Sequence, residues 1–218
     1  MIVKSSNPSI LSAGLDLNEL YKPDPQRLPL FWSSFQQVFL DLYGSRLATM
    51  IAIEGHAPAA GCMIAMAGDY RIMAKSSSDG RNNNGKKICG TIGLNEAKFG
   101  IVAPPFLGEL MLRTIGIRRG EEALSLGTLF SPEDALEVGL VDRIVDKDLV
   151  LDECYKEGLK WAKIPPQARV ASKMLVRKEH LDRLISTRED DINHFCNFIQ
   201  NDMVQAGLGA YLKSLKKK

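Results

Sequence analysis

Histidine is scarce in this 218-residue sequence, with three residues, and the four cysteines form no pattern. Cys62, Cys89, Cys154 and Cys196 show no CxxC spacing and no nearby grouping of His residues. That excludes a disulfide frame and a zinc finger, and reads as reduced, mostly buried thiols of an intracellular protein. His180 and His194 lie on predicted helices and match no zinc-ligand motif, so no metal is expected. Ser12 has no His–Asp relay in view, which removes a serine hydrolase. Charge of one sign is also lacking: 28 basic against 26 acidic residues leave +2, which gives no footprint for nucleic acid. The basic residues between Lys75 and Lys87 are not interleaved with aromatics, and Lys216 to Lys218 read as a solvated end. No apolar run is long enough to cross a bilayer, so no membrane insertion is expected, and no secretory signal opens the chain. Internal repeats and heptads are missing too.

What is present is an ordinary globular composition, 45% hydrophobic and 25% charged, enough for one substantial core. Met1 leads directly into a short strand, Ile2 to Lys4. Ile10 to Asp16 is a small-residue turn leading into a helix at Leu17 to Tyr21. Phe31, Phe35, Val38, Phe39 and Leu42 mark one face of a helix that Gly44 stops. Leu47 to Ile53 alternates as a strand does, and Asp69 to Ala74 is another strand. Lys75 to Lys87 is polar and Gly/Asn-rich, which predicts an exposed, mobile loop. Pro104-Pro105 opens a helix ended by Gly116, and Ile117 to Leu126 is a second one. Ser131-Pro132 starts a third, because a hydroxyl precedes a proline at the first helical position. Leu140 to Val145 is a strand. Everything after Asp148 reads as helix, including a stripe through Ile192, Phe195, Cys196, Ile199 and Met203.

The chain is organised around the stretch from Ile51 to Ile101. A strand passes through Ala57 to Gly61 into an apolar segment ending at Ala67. Ala and Gly there let a ligand reach the backbone. The amides at such a helix start have no internal partner and sit at the positive end of the dipole. Downstream, Gly93-Leu94-Asn95-Glu96 sets one carboxyl group among apolar neighbours. A donor-lined turn with a lone acid or base suggests enolate chemistry. The Ile10 to Asp16 turn has the same character, and the two turns could each give one amide to a shared oxygen. Two ordinary strand-to-helix connections would read the same way, and Glu96 alone reads as a first-turn helix acid.

Four pieces in order, SAGLD (Ser12 to Asp16), PAAGC with GDYRI (Pro58 to Ile72), IGLNE with FGI and AP (Ile92 to Pro104) and LFSPEDALEVGLVD (Leu129 to Asp142), resemble the crotonase (enoyl-CoA hydratase/isomerase) family. The resemblance covers nearly the whole chain. It implies an α/β fold, a spiral of ββα units over 1–146, followed over 147–218 by a C-terminal helical region that builds a homotrimer. It implies an acyl-CoA substrate and no cofactor. Its substrate carbonyl lies between two backbone amides, which by position are those of Leu15 and Ala60. Ala13, Gly14, Asp16 and Gly61 fall beside the substrate by the same carry-over. Asp16 and Asp69 also read as hydrogen-bonding a turn and a strand end. Phe106 and Trp32 are candidate walls for the acyl chain or plain packing, and His56 is a structural turn residue. In the isomerase pattern the acid/base is Glu96.

The chemistry agrees with that assignment. A proton alpha to a thioester is too weakly acidic for a carboxylate of pKa about 4.3 to remove unaided. Two amides on the enolate oxygen lower the barrier by about 3 kcal/mol each. An apolar pocket strengthens the base. The resemblance thus implies conversion of 3-enoyl-CoA to trans-2-enoyl-CoA in unsaturated fatty acid β-oxidation. Hydration is the close rival, but hydratases of the family carry a second Glu where this chain has Met63, which argues for isomerisation; a non-catalytic crotonase-like subunit is the alternative from another class. The family ordinarily begins with a further strand–helix–strand stretch before Ile2, and Lys75 to Lys87 resembles an insertion. The resemblance points to the mitochondrial matrix, with no presequence in view. Leu215 to Lys218 is not a peroxisomal address.

Overall fold

The computed structural model describes residues 1–76 and 90–215, with the side chains of 214 and 215 left aside. The loop expected at Lys75 to Lys87, Cys89 and the lysine tail therefore fall largely outside the described residues.

Four strands form a parallel sheet in the order β1 (Ile2–Val3), β2 (Met50–Ile53), β4 (Tyr70–Ala74), β6 (Arg143–Val145). Its register sets Met50 against Ile2 and Tyr70, and Ile72 against Arg143. β2 is buried at all four positions. The alternation seen in the sequence sorts side chains between two apolar faces, as in a parallel sheet covered on both sides. Ile51, Ile53 and Met73 join the main core, while Met50, Ala52 and Ile72 pack with Val150 and Cys154 of α7 (Val150–Ala162). The strand starts later than the sequence suggests, and Leu47 is exposed. A second, two-stranded parallel sheet pairs β3 (Ala57–Pro58) with β5 (Ile92–Gly93), which the sequence did not announce.

Helices cover these sheets where their punctuation places them. α1 (Leu17–Leu20) is capped by Asp16, whose carboxylate accepts from Asn18 N–H at 2.9 Å. α2 (Arg27–Tyr43) buries Leu28, Trp32, Phe35 and Phe39. α3 (Ala60–Ala67) is apolar on every side and lies wholly inside, apart from half-buried Ile64. α4 (Pro105–Ile115) and α5 (Ile117–Leu126) meet at Gly116, and α6 (Pro132–Glu137) is capped by Ser131, whose hydroxyl accepts from Asp134 N–H.

The last three helices, α8 (Pro166–Ser186), α9 (Arg188–Ile199) and α10 (Asp202–Leu215), fold back over this core. Phe195 of α9 stacks on Trp32 at 3.4 Å. The expected apolar stripe stops at Ile199, and Met203 is exposed. The Asn201 side chain accepts from Met203 N–H at 3.0 Å and starts a new helix there, breaking the phase. α8 supplies Lys173 and Arg177, each 2.9 Å from the buried Asp69 carboxylate. Thr49 donates to the same carboxylate from its N–H and its hydroxyl. Arg177 also donates to the carbonyls of Tyr43, Ala67 and Gly68, tying the ends of α2 and α3 together.

Candidate active site

The two small-residue turns lie against each other. Leu11 N–H donates to His56 O at 2.7 Å and His56 N–H to Ser9 O at 3.0 Å, which lays the first turn beside the entrance to the second. His56 itself bonds Thr91 through Nδ1, a structural use of the ring. A Cβ on Gly61 would stand 2.6 Å from Ser12 O, so only glycine lets the first turn of α3 approach this closely. Gly14 has φ +103°, and a Cβ there would stand 3.1 Å from Ala59 Cβ and 3.8 Å from Ala60 N. Ala59, just before α3, is held at φ 51°, ψ −121°, a region an L-residue rarely enters. Its own N–H donates to Gly93 O at 2.9 Å, and Ala57 N–H to Thr91 O at 2.8 Å, so the β3–β5 pair pins the strained turn. The amides of Leu15 and Ala60 have no protein acceptor among the described residues.

β5 runs into the third piece. Glu96 opens a tight 3-10 turn, Glu96–Phe99, closed by Gly100 and by Ile101 N–H donating to Glu96 O at 3.2 Å. Glu96 Oε2 is buried with no hydrogen-bond partner among the described residues. Loss of water raises its pKa from 4.5 to about 7, against a smaller lowering by backbone hydrogen bonding. Burial also pushes the Cys62 thiol of α3 far up, and the nearby Glu96 charge adds to the rise. That thiol is inert.

These pieces meet on one cavity of about 130 Å³. Ala13, Gly14 and Leu15 form one side, Pro58, Ala59 and Ala60 another, and Asn95 and Glu96 a third. The structure therefore brings Glu96, Leu15, Ala60, Ala13 and Gly14 together. Asp16, Gly61 and Phe106 are not among the lining residues. Asp16 turns away to cap α1, Gly61 is closed in by Ser12 O, and Phe106 packs behind the wall, 5.1 Å from Phe39 and 6.1 Å from Phe35. Trp32 does line the cavity while its Nε1 donates to Asp191 at 2.8 Å. Met63, a turn further along α3, is fully buried and contributes no polar group. Leu17, Leu20, Phe99, Leu208 and Tyr211 also line the cavity, and no motif in the sequence marks them for it. Leu208 and Tyr211 come from α10, over a hundred residues beyond Glu96. Among the described residues no group of three His, Cys, Asp or Glu could hold a metal.

The parallel sheet, the paired turns and the isolated acid define an enoyl-CoA hydratase/isomerase, and the model of that family matches residues 1–218; the chain belongs to it. Within the family it is 44% identical over 218 residues to enoyl-CoA delta isomerase 1, mitochondrial, of Rattus norvegicus, covering all of this chain and 72% of that protein. The Homo sapiens protein of the same name is 38% identical, with 68% of it covered. The crystal structure of human mitochondrial delta3-delta2-enoyl-CoA isomerase superposes with a TM-score of 0.91 at 39% identity, over 99% of this chain and 80% of that one.

Proposed function

We propose that this chain moves the double bond of a 3-enoyl-CoA to give the trans-2-enoyl-CoA, with Glu96 as the single proton shuttle. The relatives named as enoyl-CoA delta isomerases support the reaction. One observation carries the assignment of Glu96: its buried Oε2 has no hydrogen-bond partner among the described residues, and the residue lines a cavity that both small-residue turns also line. As a carboxylate, Glu96 removes a proton from the alpha carbon of the thioester. The electron pair left behind spreads over the thioester carbonyl and the 3,4 double bond, giving a dienolate. The N–H groups of Leu15 and Ala60 receive the developing oxygen charge, at about 3 kcal/mol each. Glu96 then returns its proton to the gamma carbon, and the double bond comes to rest between the alpha and beta carbons. The double-bond shift consumes no water, so one acid/base suffices.

Hydration is disfavoured by Met63, since a thioether can neither hold nor activate water. The names of the relatives place those proteins in mitochondria, the compartment we infer here. Residues 147–218 carry homotrimer assembly in this reading, supported by exposed Tyr155, Leu159, Leu175 and Val176 on α7 and α8. Acyl-CoA serves as substrate with no cofactor. The decisive experiment is Glu96→Gln assayed with a 3-enoyl-CoA. Turnover falls by about 10³-fold while circular dichroism stays that of the parent. Retained turnover removes Glu96 from the mechanism.

A further inference from the structure

Gln205, on the first turn of α10, makes three hydrogen bonds to main chain. Its Nε2 donates to Leu20 O at 2.8 Å and to Ile199 O at 2.7 Å, and its Oε1 accepts from Lys22 N–H at 2.7 Å. Two of the three fasten the end of α1, the helix that begins two residues after Leu15. Lys22 is held at φ 51°, a backbone that does not persist in a long side chain without restraint. Beyond Gln205 the same helix fits α1 and the Glu96 turn through two glycines. A Cβ on Gly209 would stand 2.9 Å from the Tyr21 ring, and one on Gly207 would stand 3.1 Å from Phe99 O. Tyr211 then packs on Phe99, ring centroids 4.1 Å apart. α10 therefore touches the two halves of the site separately: the Leu15 side through Gln205 and Gly209, the Glu96 side through Gly207 and Tyr211.

We propose that Gln205 is a positioning residue for the reaction, setting the spacing between the Leu15 amide and the Glu96 carboxylate by fastening α1 to α10. It touches no substrate, since it lies outside the cavity lining. Its leverage comes from geometry: an oxyanion donor and a base must be held together, and a displacement of about 1 Å costs up to about 10²-fold. Two unrelated chain segments, residues 14–22 and 95–101, share one helix as their common support.

The catalytic consequence rests on the isomerase reading; the mechanical one does not, and the experiment separates them. Gln205→Ala is compared with the parent by hydrogen exchange over segments 15–24 and 94–101, and by turnover of a 3-enoyl-CoA across pH. Expected are faster exchange in both segments, kcat down by about tenfold, and a pH midpoint moved below the parent's as water reaches Glu96. Parental kcat and midpoint in the folded variant, or faster exchange confined to α10, overturn the proposal. A parent with no isomerase activity overturns the reading of function, and exchange in the two segments still decides the mechanical claim. If Gln205→Ala does not fold, Gly207→Ala tests the same support by pressing a methyl on Phe99 O. The expected change is a lowered kcat with a shifted pH midpoint; an unchanged profile counts against the proposal.

Discussion

Asp69 and Glu96, two carboxylates drawn into the protein, are treated in opposite ways. The Asp69 side chain, 3% exposed, has Lys173 and Arg177 at 2.9 Å and two donors from Thr49. Glu96 has an oxygen sealed from water and from every hydrogen-bond partner among the described residues. The first is a joint between α8, the end of α3 and the central sheet. The second raises the energy of its own ionised form, and that energy becomes available when the carboxylate takes a proton from substrate. A buried acid that is fully satisfied does structural work; one left unsatisfied beside a cavity is kept for chemistry.

The same chemical change, carboxylate to amide, sharpens the contrast because it acts with opposite sign at the two places. Asp69→Asn leaves two buried cations without their counter-charge. Loss of one partner from a buried cluster costs about 3–5 kcal/mol. Denaturant unfolding is expected to show that loss together with a lowered Tm. A variant as stable as the parent would mean that Lys173 and Arg177 are held by the carbonyls of Leu47, Tyr43, Ala67 and Gly68 alone.

Glu96→Gln is expected to stabilise the fold while it removes turnover. The folded pKa, about 7, lies above the ordinary 4.5, so the folded chain holds this proton more tightly than the unfolded chain does. That contribution is fully present below pH 4.5 and is lost as the pH rises to about 7. The interval corresponds to about 3 kcal/mol at most. The variant should therefore gain little over the parent at about pH 4.5 and up to about 3 kcal/mol at about pH 8. Equal stability differences at both pH values would show that the carboxyl group is hydrated in solution. In the parent, kcat/KM should rise with pH through about 7, because the ionised form is the base.

How much of this contrast was legible beforehand follows from the range of the forces involved. Local signals placed most elements: Pro104-Pro105 before α4, Gly116 after it, Ser131-Pro132 at α6 and Gly44 after α2. Glu96 was singled out by its motif and by its apolar neighbours in sequence. Its surroundings were not visible, because the residues that share its cavity, Ala60 of α3 and Leu208 and Tyr211 of α10, lie far from it in sequence. Phe106 read as a wall for the acyl chain or as plain packing, and only the fold shows its ring among those of Phe35 and Phe39 of α2. The stripe from Ile192 to Met203 was misread because periodicity counts residues and does not see Asn201 restarting the helix. Asp69 read as a strand-end hydrogen-bonding residue, and Thr49 confirms that use. Its cations lie more than a hundred residues away, beyond any local pattern.

The smallest expected effect tests whether the catalytic side also stores backbone strain. Ala59 stands at φ 51° between β3 and α3, while no residue of β2 or of β4, the strands beside Asp69, has a positive φ. Such a backbone costs a residue with a Cβ about 1–3 kcal/mol, and glycine adopts it freely. Ala59→Gly relieves that cost but gives the unfolded chain more freedom, a loss of about 0.4–1 kcal/mol. The net change should be a gain of about 1 kcal/mol, read as a Tm raised by a few degrees. Turnover should fall by a few fold, because Ala59 fixes the direction of the Ala60 N–H and glycine loosens it. Stability up with activity down is the signature of strain kept for pre-organisation. Both falling together would mean that the Ala59 methyl matters for packing against Gly14, and that the turn holds its shape without stored energy.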